Sequence, residues 1–286
     1  MQIKESELII KPDGSIYHLG LVPEDIRGTI ITVGDPARVS MISKHFDQIL
    51  YQKSYREFVT HCGHIGEKWF TIIATGIGPD NIDIVLNELD ALVNIDFQSR
   101  TIKHDLTSLD IIRIGTSGAI YDGIATDSVV ISAGAVGLDN LMHFYLNFNN
   151  RISDELLTWD IPWPVKPYFE WSDNQLLKKF EKLGTPGITL TNVGFYGPQT
   201  RRLRLEPFNS DFISLLQNKE IEEYHFTNME METSAIYGLA KLLGHRALSI
   251  NSILANRTVG TFSADPKKAM EKLIIHSLEI LSSPQS

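Results

Sequence analysis

Thr29-Ile30-Ile31-Thr32-Val33-Gly34-Asp35-Pro36-Ala37-Arg38 holds the unit from which the fold is built. Five β-branched residues in a row read as a strand, glycine and proline stop it, and Val39, Ile42 and Phe46 then recur at helical spacing. The unit returns along the chain. Trp69–Thr75 ends in Gly76-Ile77-Gly78-Pro79, and Asn81–Val93 places Ile84, Val85, Leu89 and Leu92 on one helical face. Asp110–Ile114 reads as a third strand stopped at Gly115, Asp127–Ser132 as a fourth, and Gly187–Val193 as a fifth stopped at Gly194. Met229–Gly244 reads as one long helix ending on glycine, followed by a strand over His245–Leu254 and a closing helix over Asp265–Leu281. The central runs are nearly all apolar, as in parallel strands buried on both faces. These patterns predict a single α/β domain over 1–286, with helices covering both sides of the sheet.

One stretch departs from the pattern. Residues 139–186 carry Trp159, Trp163 and Trp171 among Pro162, Pro164 and Pro167. Prolines at that density oppose regular helix or strand, so an ordered excursion packed by aromatic rings is expected there.

Composition narrows the partners. A formal net charge of -9 argues against a nucleic-acid or anionic-membrane surface, since both need clustered Lys and Arg. It leaves room for an anionic small substrate in a locally positive pocket. The one cysteine, Cys62, allows no disulfide within the chain, and its neighbours His61 and His64 have no further ligand at metal spacing. The first residues, Met-Gln-Ile-Lys-Glu-Ser-Glu, contain no apolar core of a signal peptide, and no apolar run reaches the roughly 18 residues of a membrane span. A cytoplasmic location is the expectation.

In open α/β sheets ligands sit beyond the carboxyl ends of the strands. Gly34 with Arg38 follows the first strand, Thr75-Gly76-Ile77-Gly78 the second, and Gly115-Thr116-Ser117-Gly118 the third, with Arg113 inside that strand. A buried arginine is costly unless paired, and its partner is either a carboxylate or a bound phosphate. Three strand ends carrying Gly with Arg or Thr point together to an anion site. Gly76-Ile77-Gly78 is not a dinucleotide fingerprint, because Asn81 stands where the third glycine belongs. On a helix Glu230 and Glu232 would point to roughly opposite sides, which suits one carboxylate on a sugar diol rather than an acid–base pair. After Val193, Phe195 supplies a ring for stacking on a base, Gln199 a donor and an acceptor, and Arg201 further donors. A uracil edge has two carbonyl oxygens flanking an N–H, which that set can satisfy.

Taken in order, Gly34-Asp35-Pro36 with Arg38, Ser54-Tyr55-Arg56-Glu57-Phe58, Thr75-Gly76-Ile77-Gly78, Arg113-Ile114-Gly115-Thr116-Ser117-Gly118, Phe195-Tyr196 with Gln199, Met229-Glu230-Met231-Glu232 and Asn256-Arg257-Thr258 resemble the uridine phosphorylases of the nucleoside phosphorylase superfamily. The match runs from about His18 to the C-terminal helix. The resemblance implies a three-layer α/β/α fold with a central mixed, partly barrel-like sheet. It implies phosphorolysis of a pyrimidine nucleoside, with inorganic phosphate as co-substrate and no cofactor. By the same likeness Gly34, Arg38, Arg113 and Thr116 are phosphate ligands, joined by Arg56 from a neighbouring subunit. His18 meets the ribose 5′-hydroxyl across that interface, and Met231 and Glu232 hold the ribose. Phe195, Gln199 and Arg201 form the base pocket, beside Ser117 and Gly118. Arg113, Glu232, Gln199 and Arg201 then carry catalysis.

The implied assembly is a homodimer with shared sites, or a hexamer built as a trimer of dimers. Some relatives hold a potassium ion at that interface, at positions matching Glu57, Ile77 and Asn81, although Pro79-Asp80-Asn81 departs from the family turn. Asn256 stands where purine-cleaving members carry an Asp, which favours a pyrimidine. A purine phosphorylase, a nucleoside hydrolase of the same fold and a non-catalytic nucleoside-binding protein are the rival readings.

Overall fold

The computed structural model describes residues 2–148 and 150–283. The first half runs β1 (Thr29–Val33), α1 (Pro36–Ser43), β2 (Gln48–Tyr55), β3 (Phe58–Ile65), β4 (Lys68–Ala74) and α2 (Pro79–Asn94). A short pair, β5 (Ile95–Asp96) and β6 (Thr101–Ile102), leads to β7 (Asp110–Ala119) and β8 (Val129–Leu138). Then come α3 (Arg151–Leu156), β9 (Tyr168–Trp171), α4 (Asn174–Phe180), β10 (Thr185–Asn192) and α5 (Phe212–Leu216). The last part holds β11 (Glu220–Ile221), β12 (Tyr224–Glu230), α6 (Thr233–Leu243), β13 (Arg246–Asn256), β14 (Thr261–Phe262) and α7 (Pro266–Ser282).

Strand alternation sorts the apolar residues into two cores. Ile30, Ile73 and Ile111 face α2 and α6, whereas Ile31, Ile72, Ile112 and Ile114 face α1, α4 and α7. That is the expected three-layer sandwich, and it explains why these strands read as unbroken apolar runs. A third apolar cluster lies around β9 and β12, where Trp159, Trp163 and Trp171 pack on Phe169, Phe212 and Phe226.

The sheet order is β11-β12-β10-β8-β13-β7-β1-β4-β3-β2, with an added antiparallel contact between β12 and β7. That contact pairs Met229 with Gly118 and Asn228 with Ala119, and it closes β7, β13, β8, β10 and β12 into a five-stranded mixed barrel. Beyond the barrel, β1 and β4 extend the sheet in parallel and the β2–β3 hairpin completes it.

Three readings from sequence need correction. Gly115-Thr116-Ser117-Gly118 is not a turn: β7 runs on through it to Ala119, because this segment is the strand that leaves the open sheet and closes the barrel. Bare glycine backbone suits such a bend. The helix expected from Met229 begins at Thr233, since Met229 and Glu230 end β12 and Glu232 is the N-cap. The stretch 139–186 contains α3, β9 and α4 because Pro162, Pro164 and Pro167 fall between α3 and β9 rather than inside them.

Candidate active site

Register brings the strand ends together. Val33 pairs with Ala74, and Thr32 with Arg113, so β1, β4 and β7 present Gly34, Thr75-Gly76 and Arg113 at one edge. A cavity of about 750 Å3 opens there. It is lined by Gly34, Arg38, Glu57, Ile77, Arg113, Thr116, Ser117, Gly118, Phe195, Gln199, Arg201, Met231 and Glu232, among others. A second cavity of about 650 Å3 lies beside α4 and α6 around Glu170, Trp171 and Lys241, and contains none of the strand-end groups. The strand-end cavity is therefore the candidate site.

One cluster in it centres on Arg113, which is buried. Its Nη1 donates to Asn251 Oδ1 at 2.7 Å and its Nη2 to Glu232 Oε2 at 2.5 Å, with Glu230 Oε2 at 3.2 Å. Burial opposes the Arg113 charge, but Glu230 and Glu232 outweigh it and hold its pKa above the ordinary value. Arg38 donates from Nη2 to Thr116 Oγ1 at 3.3 Å. Burial, and then the like charge of Arg113, pull the Arg38 pKa down. Two guanidinium groups and two carboxylates thus share one corner. An entering anion gains Arg38 and Thr116 freely and competes with the carboxylates for Arg113.

Backbone geometry holds Glu232 in place. Gly76 and Gly78 have φ of 75° and 101°, the left-handed region that favours glycine, and the Gly78 N–H donates to Glu232 Oε1 at 2.8 Å. Glu230 accepts the N–H groups of Glu232 and Thr233 at 2.9 and 3.0 Å, which ties the strand end to the start of α6. Its carboxylate faces Arg113 while its carbonyl accepts from Gln199 Nε2 at 3.3 Å, so this residue links the two clusters of the cavity.

The second cluster centres on Arg201. Its Nη1 donates to Gln199 Oε1 at 2.5 Å and to Phe195 O at 2.8 Å, and its guanidinium lies 3.7 Å from the centre of the Phe195 ring. Gln199 is buried, and Phe195 is half exposed at the cavity wall.

Residues 29–282 match the family model described as the phosphorylase superfamily. The chain belongs to that superfamily. A uridine phosphorylase of Thermococcus kodakarensis is 27% identical over 94% of this chain and 88% of its own length. One of Haemophilus influenzae is 26% identical over 93% and 99%. A solved nucleoside phosphorylase of Trypanosoma brucei, reported with uridine phosphorylase activity, superposes with a TM-score of 0.85 at 26% identity, covering 96% of this chain and 98% of that one.

Two residues expected at a phosphorylase site stand apart from the cavity. His18 donates its backbone N–H to Glu88, and its Nδ1 lies 2.6 Å from Glu88 Oε1. Arg56, at the tip of the β2–β3 hairpin, covers the Tyr17 ring at 4.9 Å, and that ring stands edge-on to His18 at 4.8 Å. The two therefore form one patch outside their own cavity. Asn81 is also off the cavity, its Nδ2 donating to Ile77 O at 3.4 Å. Within one chain Glu57 and Ile77 offer too few oxygens for a potassium ion, so this set does not fit one unaided. Among the described residues no group of three or more His, Cys, Asp or Glu is placed to hold a metal ion, and no helix is long and apolar enough to cross a membrane.

Asn256 is buried and turned away. Its Nδ2 donates to Tyr121 O and Ile124 O, and its Oδ1 accepts from Thr258 and Val259. It shapes the loop and does not reach the cavity. Arg257, given no role from sequence, donates to Gln199 O and Thr200 Oγ1 and backs the Arg201 cluster. Burial and then Arg201 push its pKa down to about 10, so it is still charged at neutral pH. The signal was present in Asn256-Arg257-Thr258, but periodicity does not say which of three adjacent side chains points inward.

Proposed function

We propose that this chain is a uridine phosphorylase, converting uridine and inorganic phosphate to uracil and ribose 1-phosphate. The observation that carries the reading is the shared cavity: Arg38, Arg113 and Thr116 at one cluster, Gln199 and Arg201 at the other, with Glu230 touching both.

The chemistry follows from that arrangement. Phosphate, held by Arg38, Thr116, the Gly34 backbone and Arg113, presents an oxygen to C1′ of the ribose. The N-glycosidic bond breaks with its electron pair passing to uracil N1, through an oxocarbenium-like sugar. Gln199 and Arg201 stabilise the charge that spreads to the uracil oxygens. Glu232 accepts from the ribose diol and, as it turns to the sugar, releases a donor of Arg113 to the phosphate. The departing uracil anion takes its N1 proton from water while the phosphate gives up its own to solvent, so no side-chain acid is needed on the base side, which suits a pyrimidine leaving group. One face of Phe195 is taken by Arg201, so a bound base meets that ring on its other face or edge.

His18 and Arg56 complete the site only from a second copy, with Arg56 adding a phosphate donor and His18 meeting the 5′-hydroxyl. A homodimer is the smallest assembly that supplies them, and a potassium ion would need groups from both copies. The deciding assay follows uridine and inosine cleavage with and without phosphate. Phosphate-dependent uracil release is expected. Inosine as the better substrate would make the chain a purine phosphorylase, cleavage without phosphate a hydrolase, and uridine binding without cleavage a binding protein.

A further inference from the structure

The barrel interior is polar where a barrel of this size is usually filled by apolar side chains. Asn251 Nδ2 donates to Ser132 Oγ at 3.4 Å, and Ser132 and Thr189 share a hydrogen bond at 2.5 Å. Thr189 Oγ1 then donates to Asn228 Oδ1 at 2.8 Å, and Asn228 Nδ2 to Ser117 Oγ at 2.8 Å. All five side chains are buried. With Arg113 Nη1 donating to Asn251 Oδ1, a single donor-to-acceptor chain crosses the barrel from Arg113 to Ser117 at the cavity wall.

Asn251 stands at the critical end of this chain. Glu230 and Glu232 both draw on Nη2 of Arg113, at 3.2 and 2.5 Å, and among the described residues only Asn251 holds Nη1. A guanidinium free at Nη1 would rotate onto the two carboxylates as a bidentate pair, its preferred geometry, and withdraw from the cavity. The amide is kept oxygen-first toward Arg113 because its Nδ2 is occupied by Ser132 Oγ and, at 3.2 Å, by Ser249 Oγ. The pair also needs the bare backbone beside it, since a methyl on Gly115 would overlap the guanidinium and lie 2.8 Å from Asn251 Oδ1.

We infer that Asn251 is a positioning residue for phosphorolysis, limiting Arg113 to contact with Glu230 and Glu232 through Nη2 alone, so that its guanidinium stays turned to the phosphate instead of closing on both carboxylates. This rests on the phosphorolytic reading proposed above. It assigns to Asn251 an effect on phosphate rather than on the nucleoside.

The test uses the full chain with inorganic phosphate and uridine. Asn251→Ala is expected to raise the phosphate KM about tenfold, the scale of one hydrogen bond to a charged group, while the uridine KM stays within about twofold. Phosphate titrated calorimetrically without nucleoside should weaken by the same factor. A structure of the variant should show Arg113 closed onto the two carboxylates. Should Asn251→Ala fail to fold, the double variant Ser132→Ala with Ser249→Ala keeps Asn251 but frees its amide, and is expected to raise the phosphate KM several-fold. Equal rises in both KM values, or an unchanged phosphate KM in whichever variant folds, would overturn the role of Asn251 and leave the proposed function standing. Wild-type protein that binds no phosphate at all would instead overturn the proposed function, and this inference with it.

Discussion

Arg38 and Arg113 meet the same cavity but are held differently, and that difference shapes how each is tested. Among the described residues Arg38 has one side-chain partner, Thr116 Oγ1, so Arg38→Ala should raise the phosphate KM by tenfold or more, roughly one lost charge-assisted contact, with little change in Tm. Arg113→Ala leaves Glu230 and Glu232 buried without their cation, so it should abolish uracil release and also cost about 3–5 kcal/mol in chemical denaturation. An Arg113→Ala protein that is inactive yet as stable as wild type would contradict the ion pairing described above. At the base end, Gln199→Ala should raise the uridine KM far more than the phosphate KM in steady-state kinetics, and equal rises would remove Gln199 from the base pocket. The sequence made Arg113 legible because arginine in an apolar strand demands a partner, and Arg38 and Gln199 legible because each follows a strand end. It did not disclose which partner: Asn251 and Glu232 reach Arg113 across 138 and 119 positions of chain.

At the level of single elements, β1, α2 and β4 were legible from local pattern alone, and the misreadings have local causes. Met229-Glu230-Met231-Glu232 reads as the opening turn of α6 because carboxylates favour a helix start, although its strict apolar–polar alternation is the period of a strand. The β2–β3 hairpin gave no turn signal because Arg56, with φ of 51°, occupies a position where glycine or asparagine is usual. Gly78 offers the sharpest test at this scale. Its φ of 101° lies outside the range of ordinary side chains, and its N–H fixes Glu232. Gly78→Ala should cost about 1–3 kcal/mol in a denaturant titration and, under the proposed function, lower kcat, because strain at the turn loosens Glu232. Full activity in that variant would show that the turn does not place Glu232.

Closure of the barrel belongs to the whole molecule and was not legible in the pattern of the chain, because β12 pairs with β7 across more than a hundred positions and no local period encodes that contact. The expectation of a barrel-like sheet came from family likeness alone. The same holds for the assembly. His18 and Arg56, expected to serve a neighbour's cavity, lie together outside the cavity of their own chain, which makes a lone copy incomplete under the proposed function. A complementation experiment separates this from a purely structural role for the patch. Arg38→Ala damages the site of its own chain, whereas Arg56→Ala damages the site of its partner. In a mixed dimer of the two, one site carries both lesions and the other carries neither. Random mixing makes half the dimers mixed, so co-expressed variants assayed at phosphate well below the wild-type KM should recover about a quarter of wild-type activity, where each alone gives about a tenth or less. If Arg56 instead served its own chain, every site in the mixture would hold one lesion, and the mixture would be as inactive as its parts.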